Sequence, residues 1–411
     1  MRSLWAGFIL CASGVCVFAQ TPPPSTGVLA AKMQPFVDNQ TMAGAVMLVA
    51  TKDKILDLEA VGYSDLAAKT PMTTDGLFWI ASMSKAMTAS ALMMLVDEGK
   101  VNVDDPVEKY LPEFEGQMVV DPKDTTKTPV APSHPITVRE ILSHTSGLPF
   151  RPLGETGPLD TRPLAQEVAI YASRPLVSDP GTKYAYANAG LNTAARIVEV
   201  VSGMPYEQFM QQRLFDPLGM QDTTFWPSAD QLKRLPKAYD GPAAATDNAS
   251  TATGNLKEIP IDQLTYPLDD HAKRFPIPAG GLFSTALDVA RFCQMFLNDG
   301  TFEGKTYLSP EAIKMATTKE TGPNVTNPYG FGWGIDPDGS YSHGGAYKTY
   351  MGVDPAHGLV EVFLVQQGNH WGTPDGAHTV WRAFKEAALA MVGAHPAPNE
   401  KVSIEGQGQP H

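Results

Sequence analysis

The sequence predicts an α/β fold of the α+β kind: one antiparallel sheet flanked by helices, with an all-helical insertion between its two halves. Three observations predict it. Near the start, "GAVMLVATKDKILDLEAVGYS" holds two β-rich runs around the polar break Lys52-Asp53-Lys54, a hairpin signal. Near the end, "GSYSHGGAYKTYMGVD" and "GLVEVFLVQQG" give two more strand-like stretches. Between them the chain reads as mainly helical, so strands from both ends must meet in one sheet beside a helical lobe.

The elements follow in order. Arg2 and the apolar run "LWAGFILCASGVCVFA" read as a signal peptide over residues 1–19, cleaved after Ala19. A Pro-rich leader covers 20–26. The segment "GVLAAKMQPFVDNQ" has helical spacing, and the hairpin follows it. In "IASMSKAMTASALMMLVDEGK" the residues Met83, Met87, Leu92, Leu95 and Val96 share one face of an amphipathic helix, and Gly99 suits its C-terminal cap. "ITVREILSH" opens with Thr137 and Glu140 in capping-box spacing. "NAGLNTAARIVEVVSG" and "PYEQFMQQRLFDPLGM" read as further helices, each closed by Gly.

The stretch from Asp240 to Gly281 is rich in small residues and lacks a clear period, which reads as a loop or lid. "STALDVARFCQMFLNDG" is helical, with Cys293 as plain core, and "SPEAIKMAT" has Ser309 as N-cap and Pro310 at the first helical position. A closing helix spans about 375–392, and 396–411 reads as a disordered tail. The main domain is therefore 27–395, with sheet parts at about 27–110 and 280–395 and the helical and loop insertion at about 111–279.

Composition narrows the function. The net charge is −13 over 411 residues, and no run of lysines or arginines offers a nucleic-acid groove or a membrane-surface patch. Of the three cysteines, Cys11 and Cys16 leave with the signal, so Cys293 has no internal partner in the exported chain. The expected location is periplasmic or extracellular, with no membrane span after signal removal. Oligomeric state is not legible.

Chemistry concentrates in three places. Ser82 precedes Lys85 by three residues, so on a helix the amine reaches the hydroxyl. The helix N-terminus adds free N–H groups and a positive dipole end, both of which favour an alkoxide. A buried lysine can lose its proton near neutral pH and serve as a base. "KYAYANAG" supplies Tyr186 as a proton relay and Asn188 as a carbonyl or amide contact, although Asn188 could also cap the next helix. "YSHGGAY" places His343, Gly344 and Gly345 on a strand, where the glycines let a ligand approach the backbone. His144 in "LSHTSGLP" invites a Ser-His-Asp reading, but no Gly-x-Ser-x-Gly elbow is present.

Together these motifs resemble, in order and spacing, the serine hydrolases related to class C β-lactamases and penicillin-binding proteins, a group that includes D-aminopeptidases and β-lactamase-like esterases. The resemblance runs from about Val28 to Val392 and includes "ITVREILSHTSGLP", "AGGLFSTALDVARFCQMFLNDG" and "YGFGWGI". It implies a β-lactamase/transpeptidase-like fold with the site between sheet and helical domain. It also implies Ser82 as acylated nucleophile, Lys85 as its proton acceptor, and Tyr186 as base or relay. Asn188 would contact substrate, and the N–H groups of Ser82 and Ala346 would form the oxyanion hole.

Where the family carries Lys-Thr-Gly or His-x-Gly, this chain has His343-Gly344-Gly345. A histidine in place of the lysine removes a fixed cation and should ionise near the ordinary pKa of about 6.5, strengthening recognition of anions below it. The implied substrate is a small ester, amide or D-amino-acid-containing peptide, with no metal or organic cofactor. Esterase, D-peptidase and weak or true β-lactamase activities stay open, as does a penicillin sensor that acylates without turnover.

Overall fold

The sheet is built around a strand too apolar to face water on either side. β1 (Gly44–Ala50) is buried along its whole length. It pairs antiparallel with β2 (Ile55–Asp65) on one side, Val46 opposite Ala60. On the other side it pairs with the strand Leu359–Leu364, Val46 opposite Leu364. In this computed structural model, residues 27–121, 128–151, 155–242, 255–373 and 376–395 are described. The expected signal peptide, leader and tail lie outside them. The seven-stranded sheet runs in the order Gly334–Ile335, Tyr341–Gly344, Tyr350–Asp354, Leu359–Leu364, β1, β2 and β3 (Thr70–Pro71). Both ends of the chain thus build one sheet, as the element order predicts.

Successive side chains of β1 point to opposite faces. Ala45, Met47 and Val49 pack with Leu29 and Met33 of α1 (Val28–Asp38) and with Trp381 and Phe384 of the helix Gly376–Ala390. Val46, Leu48 and Ala50 join the other core, which holds α2 (Ser84–Asp97) and the helix Ala286–Leu297 with Cys293. The buried carboxylate of Glu59 on β2 accepts from the N–H of Ala30 at 2.6 Å and from that of Gly27. A negative charge there offsets the positive end of α1.

α2 departs from the amphipathic helix expected. Residues 84–95 are all buried, Ser84, Lys85, Thr88 and Ser90 included. The helix runs through the interior with the sheet core on one side and α5 (Asn188–Ser202) on the other, so it has no solvent face to make polar. Its buried hydroxyls return to carbonyls within the fold, Ser90 to Ala86 at 2.9 Å and Thr88 to Pro278 at 2.6 Å. Gly99 follows it with φ +68°, the left-handed turn expected of a helix stop.

Other local signals hold. The capping box of Thr137 and Glu140 starts α3 (Val138–Leu142), which α4 (Leu164–Ala172) follows, and Ser309 caps the helix Pro310–Thr317. "PYEQFMQQRLFDPLGM" is not one regular helix. It is α-helical over Tyr206–Met210, widens to a π-turn over Gln211–Phe215, and resumes over Asp216–Leu218. Pro217 lacks an N–H and its ring crowds the carbonyl four residues back, which widens that turn.

The expected loop or lid is anchored where it is described. Lys257–Ile259 pairs with Ala238–Asp240. Further on, Arg274 donates to buried Asp160 at 2.6 Å, with side-chain exposures of 2% and 0%. Asp160 also accepts from the Thr265 N–H and hydroxyl at 2.8 and 2.7 Å, and Arg274 donates to the carbonyls of Phe225 (3.0 Å) and Leu268. This pair ties 265–275 to the helical lobe. Asp160→Ala leaves a buried guanidinium without its anion, so stability should fall by about 3–5 kcal/mol. Urea unfolding measures it, and a loss below about 1 kcal/mol would contradict this role for the pair.

Candidate active site

The chain turns sharply to present Ser82. The short strand Phe78–Trp79 pairs with Phe283–Ser284, the Ile80 N–H donates to the Leu282 carbonyl at 3.0 Å, and Ala81 then takes φ +46°. A left-handed alanine costs on the order of 1–2 kcal/mol, so the surroundings must hold it. The Ser84 hydroxyl does part of this, donating to the Ala81 carbonyl at 2.6 Å while accepting the Leu282 N–H at 3.2 Å. Ser82 therefore lies in a 3-10 turn, Ala81–Met83, one step ahead of α2 rather than in its first α-turn.

Lys85 is fully buried and makes three hydrogen bonds: 3.0 Å to Ser82 Oγ, 2.8 Å to Asn188 Oδ1 and 2.7 Å to the Ala279 carbonyl. No carboxylate pairs with it among the described residues. Burial alone pushes its pKa well below the ordinary lysine value. The geometry fixes how the neutral amine sits. A carbonyl and an amide oxygen can only accept, so the two N–H bonds of an uncharged amine point at Asn188 and Ala279. The lone pair is left facing Ser82 Oγ.

α5 supplies two of these supports from one face. Asn188 is its first residue, and Asn192, one turn on, accepts the Ala279 N–H at 3.0 Å. Asn188 therefore contacts the lysine here, a bond the sequence reading did not assign to it. Trp79 Nε1 donates to the Gly280 carbonyl at 2.8 Å, so the 279–280 segment is held on both sides.

The Tyr186 hydroxyl and the Ser82 side chain are hydrogen-bonded to one another, and the Lys85 amine lies 4.6 Å from the Tyr186 ring centre. Burial raises its pKa further above the ordinary phenol value, which keeps the phenol protonated. The segment carrying it is clamped by the turn after α3: Ala185 N–H to the His144 carbonyl at 2.8 Å, and Ala187 N–H to His144 Nδ1 at 3.1 Å. His144 has no hydrogen bond to Ser82, so no Ser-His-Asp arrangement is present among the described residues.

The strand Tyr341–Gly344 closes the site. A Cβ on Gly345 would lie 2.6 Å from the Ile80 carbonyl oxygen, so glycine is needed for the strand end to press on the turn that carries Ser82. Ala346 is half-buried in the same apolar cluster as Trp79 and Ala81.

His343 differs from expectation. Its Nδ1 lies 2.8 Å from the Gly344 carbonyl, which can only accept, so the proton is on Nδ1. Nε2 then accepts from the Tyr329 hydroxyl at 3.1 Å. Both ring nitrogens are used within the protein, and the ring is 5% exposed. Burial and the nearby Lys85 push its pKa down to about 3, so the expected ionisation near 6.5 is corrected. Tyr329, in "NPYGFGWGI", was not singled out by sequence; only its place in a family-like stretch could have drawn attention to it.

The family model described as Beta-lactamase matches residues 29–383. Protein Rv1367c of Mycobacterium tuberculosis is 32% identical over 82% of this chain and 88% of its own length. The D-alanyl-D-alanine-carboxypeptidase/endopeptidase AmpH of Escherichia coli is 29% identical over 68% of each chain. Lovastatin esterase of Penicillium rubens is 27% identical, covering 79% of this chain and 81% of that one. Among solved structures, EstCE1, described as a hydrolase with promiscuous acyltransferase activity, superposes with a TM-score of 0.69 at 23% identity, over 87% of this chain and 98% of that one.

The buried His343 has a consequence for acid stability. Its folded pKa lies below the unfolded value of about 6.5, so the unfolded chain takes up the proton first. The stability it contributes is present above about pH 6.5 and is lost as pH falls toward 3. His343→Gln should flatten the fall between pH 6.5 and 4.5 by up to about 1.4 kcal/mol per pH unit. Urea unfolding at several pH values checks this, and an unchanged slope contradicts it.

Proposed function

The chain belongs to the Beta-lactamase family and has the β-lactamase/transpeptidase-like fold, and from that premise we propose a serine hydrolase that cleaves small, uncharged esters through an acyl-enzyme on Ser82. The observation that carries the proposal is the Lys85 amine, whose lone pair is directed at Ser82 Oγ by its two other acceptors. In this reading Ser82 Oγ attacks the substrate carbonyl carbon and its proton passes to Lys85 Nζ. The N–H groups of Ser82 and Ala346 receive the oxyanion. The Tyr186 hydroxyl then protonates the leaving oxygen as the C–O bond breaks, and Lys85 returns the proton to Tyr186. Water deacylates the enzyme by the same steps in reverse.

Lys85 is the principal base in this scheme, because burial drives the two groups in opposite directions. It lowers the lysine pKa well below its ordinary value and keeps the phenol protonated. The substrate class follows from His343, whose two nitrogens are committed to Gly344 and Tyr329. The position that would face a substrate carboxylate offers neither a charge nor a spare donor. Lovastatin esterase is a relative by name in keeping with this choice.

A second reading has one observation in its favour. The half-buried Arg151 lies 5.8 Å from the Phe150 ring, which stacks 6.3 Å from that of Tyr186. A cation there suits a carboxylate-bearing peptide, and AmpH is a carboxypeptidase by name. Export through residues 1–19 belongs to the proposal as well; that segment lies outside the described residues.

Assayed side by side, an uncharged aryl ester should be turned over faster than a chromogenic cephalosporin or a D-alanyl peptide. Ser82→Ala should lose both turnover and labelling by a serine-reactive phosphonate. Faster peptide cleavage would favour the Arg151 reading, and labelling retained in Ser82→Ala would sink the nucleophile.

Lys85→Arg keeps a cation but cannot yield a lone pair at working pH. It should lose nearly as much kcat/KM as Lys85→Ala, on the order of 10²-fold or more. A Lys85→Arg enzyme with most of its activity would make the lysine an electrostatic anchor only.

A further inference from the structure

We propose that His144 is a positioning residue for the proton relay: its imidazole ring is the wedge that holds the Tyr186 phenol against Ser82. The proposal rests on the relay role assigned to Tyr186 above.

His144 is 2% exposed and adopts φ +61°, a left-handed conformation that histidine tolerates better than β-branched residues. The ring centre lies 4.5 Å from that of Tyr186 and 4.7 Å from that of Tyr329, with Tyr184 at 5.8 Å. Tyr329 is in turn fixed by its hydrogen bond to His343. The imidazole therefore fills the space between the relay tyrosine and an immobile aromatic wall. Without it, the phenol could swing toward Tyr329 and away from Ser82.

The hydrogen bonding specifies the ring state. Nδ1 accepts the Ala187 N–H, so the proton sits on Nε2, and Nε2 has no partner within the fold among the described residues. An orphaned buried donor costs roughly 1–3 kcal/mol. Asparagine would also accept that bond and suit the left-handed backbone, though its own amide N–H groups would be left unpaired, so anchoring the Ala187 N–H does not by itself call for an imidazole. What asparagine lacks is the ring. Burial, with Lys85 and His343 nearby, keeps the ring neutral, so it adds no competing charge beside the relay.

The test separates the ring from the acceptor. His144→Asn keeps an acceptor for Ala187 and the backbone preference but removes the wedge. His144→Phe keeps a ring and removes the acceptor. Both are compared with the parent and with Tyr186→Phe on aryl and alkyl esters that differ only in leaving-group pKa, with active enzyme counted by phosphonate titration of Ser82. A good leaving group departs without a proton, whereas a poor one needs the relay.

The expected result is a loss of kcat/KM in His144→Asn confined to poor leaving groups, about tenfold or more and within the range proton relays supply. Its steeper leaving-group dependence should resemble that of Tyr186→Phe, while His144→Phe stays near the parent. A merely structural role would lower all substrates alike. Parent-like dependence in His144→Asn, or loss in His144→Phe with retention in His144→Asn, overturns the wedge. If Tyr186→Phe itself shows no steepening, the relay assignment fails instead, and the wedge with it.

Discussion

A primary amine buried without a carboxylate is the constraint on which the rest of the structure depends. Burying an ammonium ion is costly unless it is paired, and the neutral form escapes most of that cost. Lys85 is surrounded by one hydroxyl, one amide oxygen and one backbone carbonyl, all uncharged. Three separate parts of the chain must deliver those groups within hydrogen-bond distance: the start of α2, the start of α5 and the 279–280 segment. This accounts for features that are otherwise odd. α2 is buried on every side, α5 begins with two asparagines one turn apart on one face, and an irregular backbone segment is pinned in the interior by Asn192 and Trp79.

The sheet serves the same site from the other side. Because β1 joins strands from both ends of the chain, the strand Tyr341–Gly344 reaches the turn before Ser82, and Gly345 permits contact with Ile80. The histidine on this strand is spent inside the protein, on Gly344 and Tyr329, and so lines the site as a neutral surface. Together with Tyr186, Tyr184 and His144 it makes a wall of aromatic rings without fixed charge. Such a wall keeps the local dielectric low, which favours the uncharged form of Lys85, and in the proposed reading it suits an uncharged acyl group.

Much of the fold was legible because it is locally encoded. The hairpin announces itself by a polar break between apolar runs, and the capping residues Thr137 and Ser309 act within their own turn. The meeting of the chain ends follows from strands that have nowhere else to pair. The motif residues Ser82, Lys85, Tyr186 and Asn188 come together, yet the partners that define their chemistry do not show in sequence. Ala279 contributes a carbonyl, and every residue has one. His343 looked like a titratable donor because its partner Tyr329, fourteen positions earlier, occupies its second nitrogen only in three dimensions. α2 looked amphipathic because its buried hydroxyls read as polar surface; their acceptors lie within the fold. His144 reads in sequence as a possible triad member, and its closeness to Tyr186 shows only in three dimensions.

The central claim is that Lys85 is uncharged at working pH, and it can be observed without turnover. Protein labelled with 13C at lysine Cε gives one resonance per lysine, and Lys85→Arg identifies the one that matters. Followed by NMR across pH, the Lys85 signal should titrate well below the surface lysines, whose ordinary value is about 10.4. A Lys85 signal that titrates together with them would contradict the account.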